Sequence, residues 1–549
     1  MTATQALALL LLIVGSCAIA ALARRRGVAA PILLVLTGLG ASYIPGVPEF
    51  RLSPNLVLFA VLPPLVYATA LESSYLNLRD HVRTLALLSV GLVLFTALVV
   101  GGAARLDVPG LPLAAAITLG AILAPTDAVT TASIGRRLHL PRRLLTVITG
   151  ESMLNDGTAL TLSAVAVSAA ATTVATPSPL SAVGSLVIIS AGGIAAGLVL
   201  GVLIHRLRMR IRDPLVESAL SLLTPFAAYL AADSLHVSGV LAVVVTGLYL
   251  GHHGGQAHFA TRLQDMAVWR VTTFVLESVA FALIGLQLRP VLQGLGTRNP
   301  ARLATEAAVV LGAVVLARIV WVFPSIYLPR WLVPRIRAQD PAPSWRATLV
   351  LSWAGLRGVI SLAAAAALPT DVPQRNLLVF LTFTTVLGTL LVQGLTLPWL
   401  IHWLGVRAGP GEEQADAVAQ ARAQEAASEA GLRRLDELAA QDPAGAPAEV
   451  VDRLRRLAEY RQAGAWERLP DSQPGEEGGP TPSAAFRRLR REMTTAERAA
   501  FIRLRDERQI DDEVLDEVLH HLDLEEAMLS RDEWDAAGGD PGPGTPVSG

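Results

Sequence analysis

Residues 1 to 405 form a series of apolar runs near twenty residues long, separated by short polar segments. A helix needs about 20 apolar residues to cross the hydrocarbon of a bilayer. The pattern therefore predicts an all-α polytopic membrane protein with about thirteen transmembrane helices. The predicted spans are Thr4–Ala23, Val28–Ile44, Leu56–Leu71, Thr84–Ala103, Leu113–Ile134, Leu144–Ala171, Ala182–Ile204, Leu215–Ala232, Val240–Gly251, Thr272–Leu288, Ala304–Phe323, Ala347–Leu368 and Leu377–Leu404.

The arginines predict the orientation of these spans. Loops after odd-numbered spans carry about three times as many arginines as the other loops, and the positive-inside rule places the arginine-rich side in the cytoplasm. The N-terminus is then outside and the C-terminus inside. Arg24–Arg26 follow the first apolar run instead of preceding it, which favours a retained helix over a cleaved signal peptide.

After Gly405 the sequence becomes charged and alanine-rich. Residues 406–549 predict a cytoplasmic helical tail with a disordered linker near 470–482, because Pro470–Pro482 is rich in proline and glycine. Thr494 or Thr495, ahead of an acidic residue, predicts the start of a helix. The tail either regulates the membrane part or only solubilises it, and its ligand is unknown.

The composition excludes several classes of protein. Cys17 is the only cysteine, which excludes disulfide frameworks and cysteine-rich zinc sites. The sequence contains no lysine, so it has no Walker A phosphate loop. We expect no enzymatic activity, no cofactor and no nucleic-acid partner.

Polar residues interrupt the fifth predicted span at Pro125-Thr126-Asp127. Proline removes a backbone donor and breaks or kinks a helix. In transporters, such breaks expose carbonyl groups that coordinate cations. The alternative is a simple kink in which Asp127 caps the second half-helix. The residues alone do not decide between an ion-binding and a structural Asp127.

The sixth predicted span carries two carboxylates near its middle, Glu151 and Asp156. Ionisable groups at membrane depth are costly and indicate a functional site. Ser152 lies four residues before Asp156, and Glu151 lies four residues before Asn155, so each pair shares a helix face. Carboxylate, hydroxyl and amide oxygens suit a small hard cation, and the same carboxylate can bind a proton. The alternative is a polar cluster that ties helices together.

Two arginines inside predicted spans, Arg318 and Arg357, need acidic partners because unpaired buried charge is strongly unfavourable. We expect Glu151 to pair with Arg357, which leaves Asp156 free to bind ions. Glu277 then pairs with Arg318 by elimination. Glu72, at the inner end of the third span, is expected to be an interfacial acid, although a place near the site stays open.

Several ordered motifs resemble the monovalent cation:proton antiporters of the sodium/proton exchanger type. They are Leu62-Pro-Pro-Leu65, Thr126-Asp127, Gly150-Glu-Ser-Met-Leu-Asn-Asp156, Gly355-Leu-Arg-Gly358 and Val392-Gln-Gly-Leu-Thr-Leu-Pro398. The resemblance covers about residues 1 to 405. It implies two inverted repeats with two broken helices crossing near the ion site, and a homodimer that works by alternating access. It places the second crossing helix at Thr384–Leu391, with Gly388 as its flexible point.

The resemblance also implies roles for individual residues. Asp156 carries the cation or the proton, Asn155 is a structural neighbour typical of the electroneutral branch, and Ser152 and Thr126 donate ligands. Glu151 forms the internal ion pair of the family with an arginine, here Arg357. Some relatives have an acidic residue soon after the Leu-Pro-Pro motif, where this chain has Val66-Tyr67-Ala68-Thr69. The sequence therefore does not determine the preference among Na⁺, Li⁺ and K⁺.

These observations favour a secondary antiporter that exchanges Na⁺, Li⁺ or K⁺ for H⁺ across the plasma membrane. In this antiporter the cation and the proton compete for binding to one carboxylate. The alternative is a cation channel gated by the tail. A channel would carry current without proton coupling and would need a continuous polar lining, whereas the polar residues here form one cluster.

Overall fold

The computed structural model describes residues 3–26, 28–45, 57–171, 179–211, 213–296, 298–441, 445–466 and 482–509, together with 511, 514, 515, 518, 519 and 521–526. Every regular element in these ranges is helical, which confirms the predicted all-α class. The chain divides into two compact units, Met1–Arg407 and Ala408–Gly549.

The first unit is a bundle of apolar helices. Within the described ranges, seven helical stretches are long and apolar enough to cross a membrane, and shorter apolar helices accompany them. The count of thirteen spans stays a prediction. The helices are α1 Ala3–Arg26, α2 Ala30–Ala41, α3 Leu62–Glu72, α4 Tyr75–Asp80, α5 Val82–Ala86, α6 Leu92–Asp107, α7 Leu113–Ile122, α8 Ala128–Arg137, α9 Arg142–Ala171, α10 Pro179–Arg208, α11 Pro214–Ser234, α12 Gly239–His253, α13 Phe259–Leu286, α14 Leu288–Gln293, α15 Pro300–Leu332, α16 Pro334–Gln339, α17 Trp345–Trp353, α18 Val359–Ala366, α19 Arg375–Gly388 and α20 Gly394–Leu404.

The outer surface of this unit is apolar. On α10, for example, Ile188 is 70% exposed and Val199 is 66% exposed. A soluble protein rarely leaves so many large apolar side chains uncovered on one helix, whereas lipid tails cover them without cost. The chain is accordingly a multi-pass membrane protein.

The same order of helices occurs twice, as expected of two related repeats. A long helical stretch (Val82–Asp107), a broken helix (α7 and α8) and a second long helix (α9) form the first set. The long helix α15, the broken helix formed by α17 and α18, and the stretch Arg375–Leu404 form the second. Each set therefore contributes one interrupted helix to the interior.

The first break covers residues 123–127, between α7 and α8. Pro125 lies inside it, as the sequence predicted, because proline cannot donate the hydrogen bond that would continue α7. The side chain of Asp127 accepts a hydrogen bond from Val129 N at 3.0 Å and so caps α8. The geometry thus shows the capping role that was one of the two alternatives for Asp127. Capping does not by itself exclude a role in ion binding.

The second break covers residues 354–358, between α17 and α18. The expected position at Thr384–Leu391 is wrong, since α19 continues from Gly388 through the π-helical turn Thr389–Gln393 into α20. Gly355 and Gly358 lie in this break, where the chain approaches its neighbours too closely for larger side chains. A Cβ on Gly355 would collide with the side chain of an arginine on α15, and one on Gly358 would lie 3.0 Å from the Cβ of Asp127.

The two breaks contact each other directly. Asp127 N donates a hydrogen bond to Leu356 O at 2.7 Å. In the other direction, Arg357 Nη1 donates to Pro125 O at 3.1 Å. Carbonyls freed by one break are thus satisfied by donors of the other, which is the condition for irregular backbone at membrane depth.

The second unit consists of polar helices. Asp436 on one helix pairs with Arg455 on the next at 2.7 Å, and Ala421 and Val451 are buried. The helices are α21 Pro410–Gln441, α22 Ala448–Trp466 and α23 Pro482–Asp506.

Two features expected in the tail need comment. The prediction that a helix starts at Thr494 or Thr495 is wrong, because α23 begins at Pro482 and the hydroxyl of Thr494 instead bonds back to Arg490 O at 2.8 Å. The predicted linker near 470–482 lies outside the described residues, apart from Pro482.

Candidate functional site

A cavity of about 70 Å³ lies where the two breaks cross. Its walls come from α3, the first break, α9, α13 and α18 and are mainly apolar. The polar residues among them are few, and they converge from five different parts of the chain. They are Thr69, Thr126, Asp127, Ser152, Asp156, Glu277 and Ser361.

Asp156 is the candidate carrier because of how its carboxylate is buried. It lies in the middle of α9 and is only 4% exposed. Its Oδ1 is buried and has no hydrogen-bond partner in the described part of the chain. A buried, unpartnered carboxylate oxygen is costly unless another group neutralises it. The carboxylate that lines the cavity is therefore available to an ion.

Ser152 and Asn155 hold α9 against the first break. Ser152 Oγ donates to Thr126 O and accepts from Ala128 N, the latter at 3.0 Å. Asn155 Nδ2 donates to Thr126 Oγ1 at 2.9 Å, while Asn155 Oδ1 is buried without a partner. These bonds join Asp156 to the break as one assembly, and they use most of the bonding capacity of the serine and threonine hydroxyls.

Asp127 reaches the cavity from the first break, but its two oxygens already accept hydrogen bonds. Oδ1 accepts from Val129 N, and Oδ2 accepts from Thr130 Oγ1 at 2.5 Å. Such bonds stabilise an ionised carboxylate. Asp127 therefore places a carboxylate on the cavity wall while it caps α8.

The partner of Glu151 is Arg318, and the expected pair with Arg357 is wrong. Arg318 on α15 bonds to both oxygens of Glu151, with Nη2 to Oε2 at 3.0 Å, and also donates to Leu351 O at 3.1 Å. Both side chains are almost completely buried. The guanidinium of Arg357 points instead to the first break, through Pro125 O.

The pairing of Glu277 with Arg318 is wrong for the same reason. The sequence indicates that two buried arginines need acidic partners. Which acid pairs with which arginine depends on the tertiary arrangement of the helices. Here Arg318 of α15 reaches Glu151 of α9, whereas Glu277, on α13, lines the cavity. Glu277 is thus a residue of the cavity wall, although the sequence analysis paired it with Arg318.

Ser361 is a second residue that sequence reasoning missed. It lies in the first turn of α18, is 1% exposed and lines the cavity. Its position three residues after Gly358, close to the second break, could have indicated a site residue. The sequence analysis placed that break at Thr384–Leu391 and therefore did not consider Ser361. Glu72 ends α3 and is not among the residues that line the cavity.

This arrangement suits reversible binding of a small cation. Oxygen ligands from carboxylates and hydroxyls are those that hard cations prefer. The apolar remainder of the wall keeps the local dielectric low, so the charge on Asp156 strongly favours one bound positive ion. The cavity can admit either a partly dehydrated cation or a proton at this carboxylate.

Comparisons with known proteins agree with this geometry. The family model for the transmembrane region of sodium/hydrogen exchangers matches residues 9–403. An uncharacterised Na⁺/H⁺ exchanger of Mycobacterium tuberculosis is 36% identical over 517 residues, which are 92% of this chain and 93% of the relative. The Na⁺/H⁺ antiporter ApNhaP of Aphanothece halophytica is 34% identical, over 68% of this chain and 69% of its own length.

A solved structure shows the same fold. The sodium proton antiporter MjNhaP1 of Methanocaldococcus jannaschii at pH 8 superposes with a TM-score of 0.59 and 20% identity, covering 72% of this chain and 97% of that chain. The family model spans nearly the whole first unit, including both breaks and the cavity. The chain belongs to the sodium/hydrogen exchanger family, and it is a monovalent cation:proton antiporter and not an enzyme.

Proposed function

We propose that the protein exchanges Na⁺, Li⁺ or K⁺ for H⁺ electroneutrally by alternating access, with Asp156 as the carrier of both ions. The observation that carries this proposal is the unpartnered Asp156 carboxylate in a cavity formed at the crossing of both breaks. Ser152, Thr126 and Asp127 surround it as candidate ligands. Asn155, Glu151 and Arg357 support the site without being ligands themselves.

The exchange follows from the cost of burying charge. A bare carboxylate in this cavity is strongly unfavourable, so Asp156 is occupied by a cation on one half of the cycle and by a proton on the other. Each occupant neutralises the same negative charge, and therefore the carrier has the same net charge on both journeys. Electroneutrality also requires that Asp127 and Glu277 keep their protonation states throughout.

The two breaks provide a means of movement. They are held together by only two backbone-directed bonds, between Asp127 N and Leu356 O and between Arg357 and Pro125 O. The Glu151–Arg318 pair holds α9 to α15, so the ion-carrying helices can move as one body. A homodimer in the plasma membrane, with the N-terminus outside and the C-terminus in the cytoplasm, completes the proposal.

The test uses the purified protein in proteoliposomes with an imposed proton gradient. Asp156→Asn should fold and abolish cation-dependent proton flux, because an amide cannot exchange a proton for a cation. Asp371→Asn, which changes an exposed carboxylate, is the matched control and should keep normal flux. Continued Na⁺-dependent proton flux by Asp156→Asn refutes the carrier assignment.

The same preparation distinguishes the channel alternative. Under a voltage clamp, an electroneutral exchanger should carry no net current at any membrane potential. Cation current without proton coupling would support a channel and overturn the exchange mechanism.

A further inference from the structure

We propose that the hydroxyl of Ser361, on the second broken helix, is a direct ligand of the transported cation and not of the proton. This inference rests on the proposed function, because it assumes that the cation binds at Asp156. It adds a ligand from α18, which the sequence motifs around Asp156 do not supply.

The bonding of the hydroxyls in the cavity singles out Ser361. Four hydroxyl side chains line the cavity within the described residues, and three of them are already engaged. Thr69 donates to Leu65 O at 2.9 Å. Ser152 Oγ donates to Thr126 O, and Thr126 Oγ1 accepts from Asn155 Nδ2. Ser361 Oγ is buried and has no hydrogen-bond partner in the described part of the chain.

An unsatisfied buried hydroxyl costs free energy unless a ligand or water completes it. The Ser361 hydroxyl and the unpartnered Oδ1 of Asp156 line the same cavity, which has a volume of only about 70 Å³. Oxygen atoms from both α9 and α18 therefore face the space that a bound cation would occupy.

The chemistry separates the two transported ions. A dehydrated alkali cation needs several oxygen ligands at once, and a hydroxyl oxygen is a suitable one. A proton forms a covalent bond with one carboxylate oxygen and needs no comparable shell. Removing the hydroxyl should therefore weaken cation binding and leave proton binding at Asp156 unchanged.

The position of Ser361 also gives the cation a structural effect. Asp156 is on the first repeat and Ser361 is on the second, so a cation bound to both ties the two breaks together. The cation-loaded carrier then has one more connection across the crossing than the proton-loaded carrier has. Cation binding should stabilise the crossing more than protonation does.

The experiment measures Na⁺/H⁺ exchange by the full-length protein in proteoliposomes across a range of Na⁺ concentrations and pH. Ser361→Ala should raise the KM for Na⁺ by roughly ten- to hundredfold, the range for losing one bond to a charged group. The maximal rate and the proton inhibition constant, obtained from the pH dependence of KM, should stay close to those of the unaltered protein.

Three further variants make the result specific. Ser361→Cys preserves size but replaces a hard ligand by a soft one, so it should behave like Ser361→Ala. Ser361→Thr keeps the hydroxyl and should recover much of the affinity. Ser352→Ala is the matched control: Ser352 is equally buried on α17, but its hydroxyl bonds to Thr348 O at 2.8 Å and does not line the cavity.

Na⁺-dependent thermal stabilisation of the purified protein provides a second measurement that does not depend on transport. A loss of this stabilisation in Ser361→Ala and Ser361→Cys supports the proposal. An unchanged KM and an unchanged stabilisation in both variants overturn it, as does an equal loss of proton affinity. Asp156→Asn, measured in parallel, separates the outcomes: if it still exchanges ions, the proposed function fails, and if only the Ser361 variants are normal, the ligand assignment alone fails.

Discussion

The buried pair between Glu151 and Arg318 yields a prediction that the structure makes quantitative. The two side chains are only 1% and 2% exposed, and the arginine bonds to both carboxylate oxygens. Removing one member leaves the other charge buried, which typically costs about 3–5 kcal/mol. We expect Arg318→Met and Glu151→Gln each to lower the free energy of unfolding by that amount.

Removing both charges should cost much less than the sum of the single changes. A neutral pair of similar volume leaves no unpaired charge, and such replacements are often close to neutral. The double variant should therefore show a coupling energy that approaches the summed cost of the two single changes, about 6–10 kcal/mol. Equilibrium unfolding in mixed detergent micelles, followed by circular dichroism, measures all four proteins of the cycle.

A second cycle supplies the control. Arg357 is also completely buried, but its guanidinium bonds to Pro125 O and not to Glu151. The coupling between positions 151 and 357 should be clearly smaller than that between 151 and 318. A coupling to Arg357 as large as the one to Arg318 would refute the assignment of the pair and restore the expectation from sequence.

Three further predictions concern other parts of the chain. Gly358→Ala should impair exchange, because its Cβ would press on the first break at 3.0 Å, whereas Gly102→Ala, with no atom within 4 Å, should be active in the same flux assay. Glu277→Gln should raise the KM for Na⁺ by up to about tenfold, since it removes a carboxylate from the cavity wall, and an unchanged KM would contradict that role. In the tail, the hydrogen bond from Arg490 holds the pKa of Glu525 below its ordinary value of 4.5, so this contact stabilises α23 above that pH and is lost as the pH falls through the lowered pKa. Hydrogen exchange of α23, corrected for intrinsic rates, should show that loss in the unaltered protein and none in Arg490→Ala.

The membrane class and the first break could be predicted from local pattern. Apolar runs of spanning length require no knowledge of neighbours, because the bilayer itself is the solvent that selects them. Pro125 breaks its helix through its own missing donor, and Asp127 caps the helix that follows it in the chain. The helical spacing of Ser152 and Asp156 likewise placed the hydroxyl beside the carboxylate on α9.

Tertiary structure alone decided the partners of the buried charges and the position of the second break. The pairing of Glu151 depends on the tertiary arrangement that brings Arg318 of α15 to it, over a separation of 167 residues. Gly355 and Gly358 lie where other side chains approach closely, and that approach is not visible in the local sequence. Ser361 is a site residue for the same reason, because burial and proximity are properties of the packed helices. The length of an apolar run, its helical period and the backbone N–H that proline lacks are properties of the chain itself.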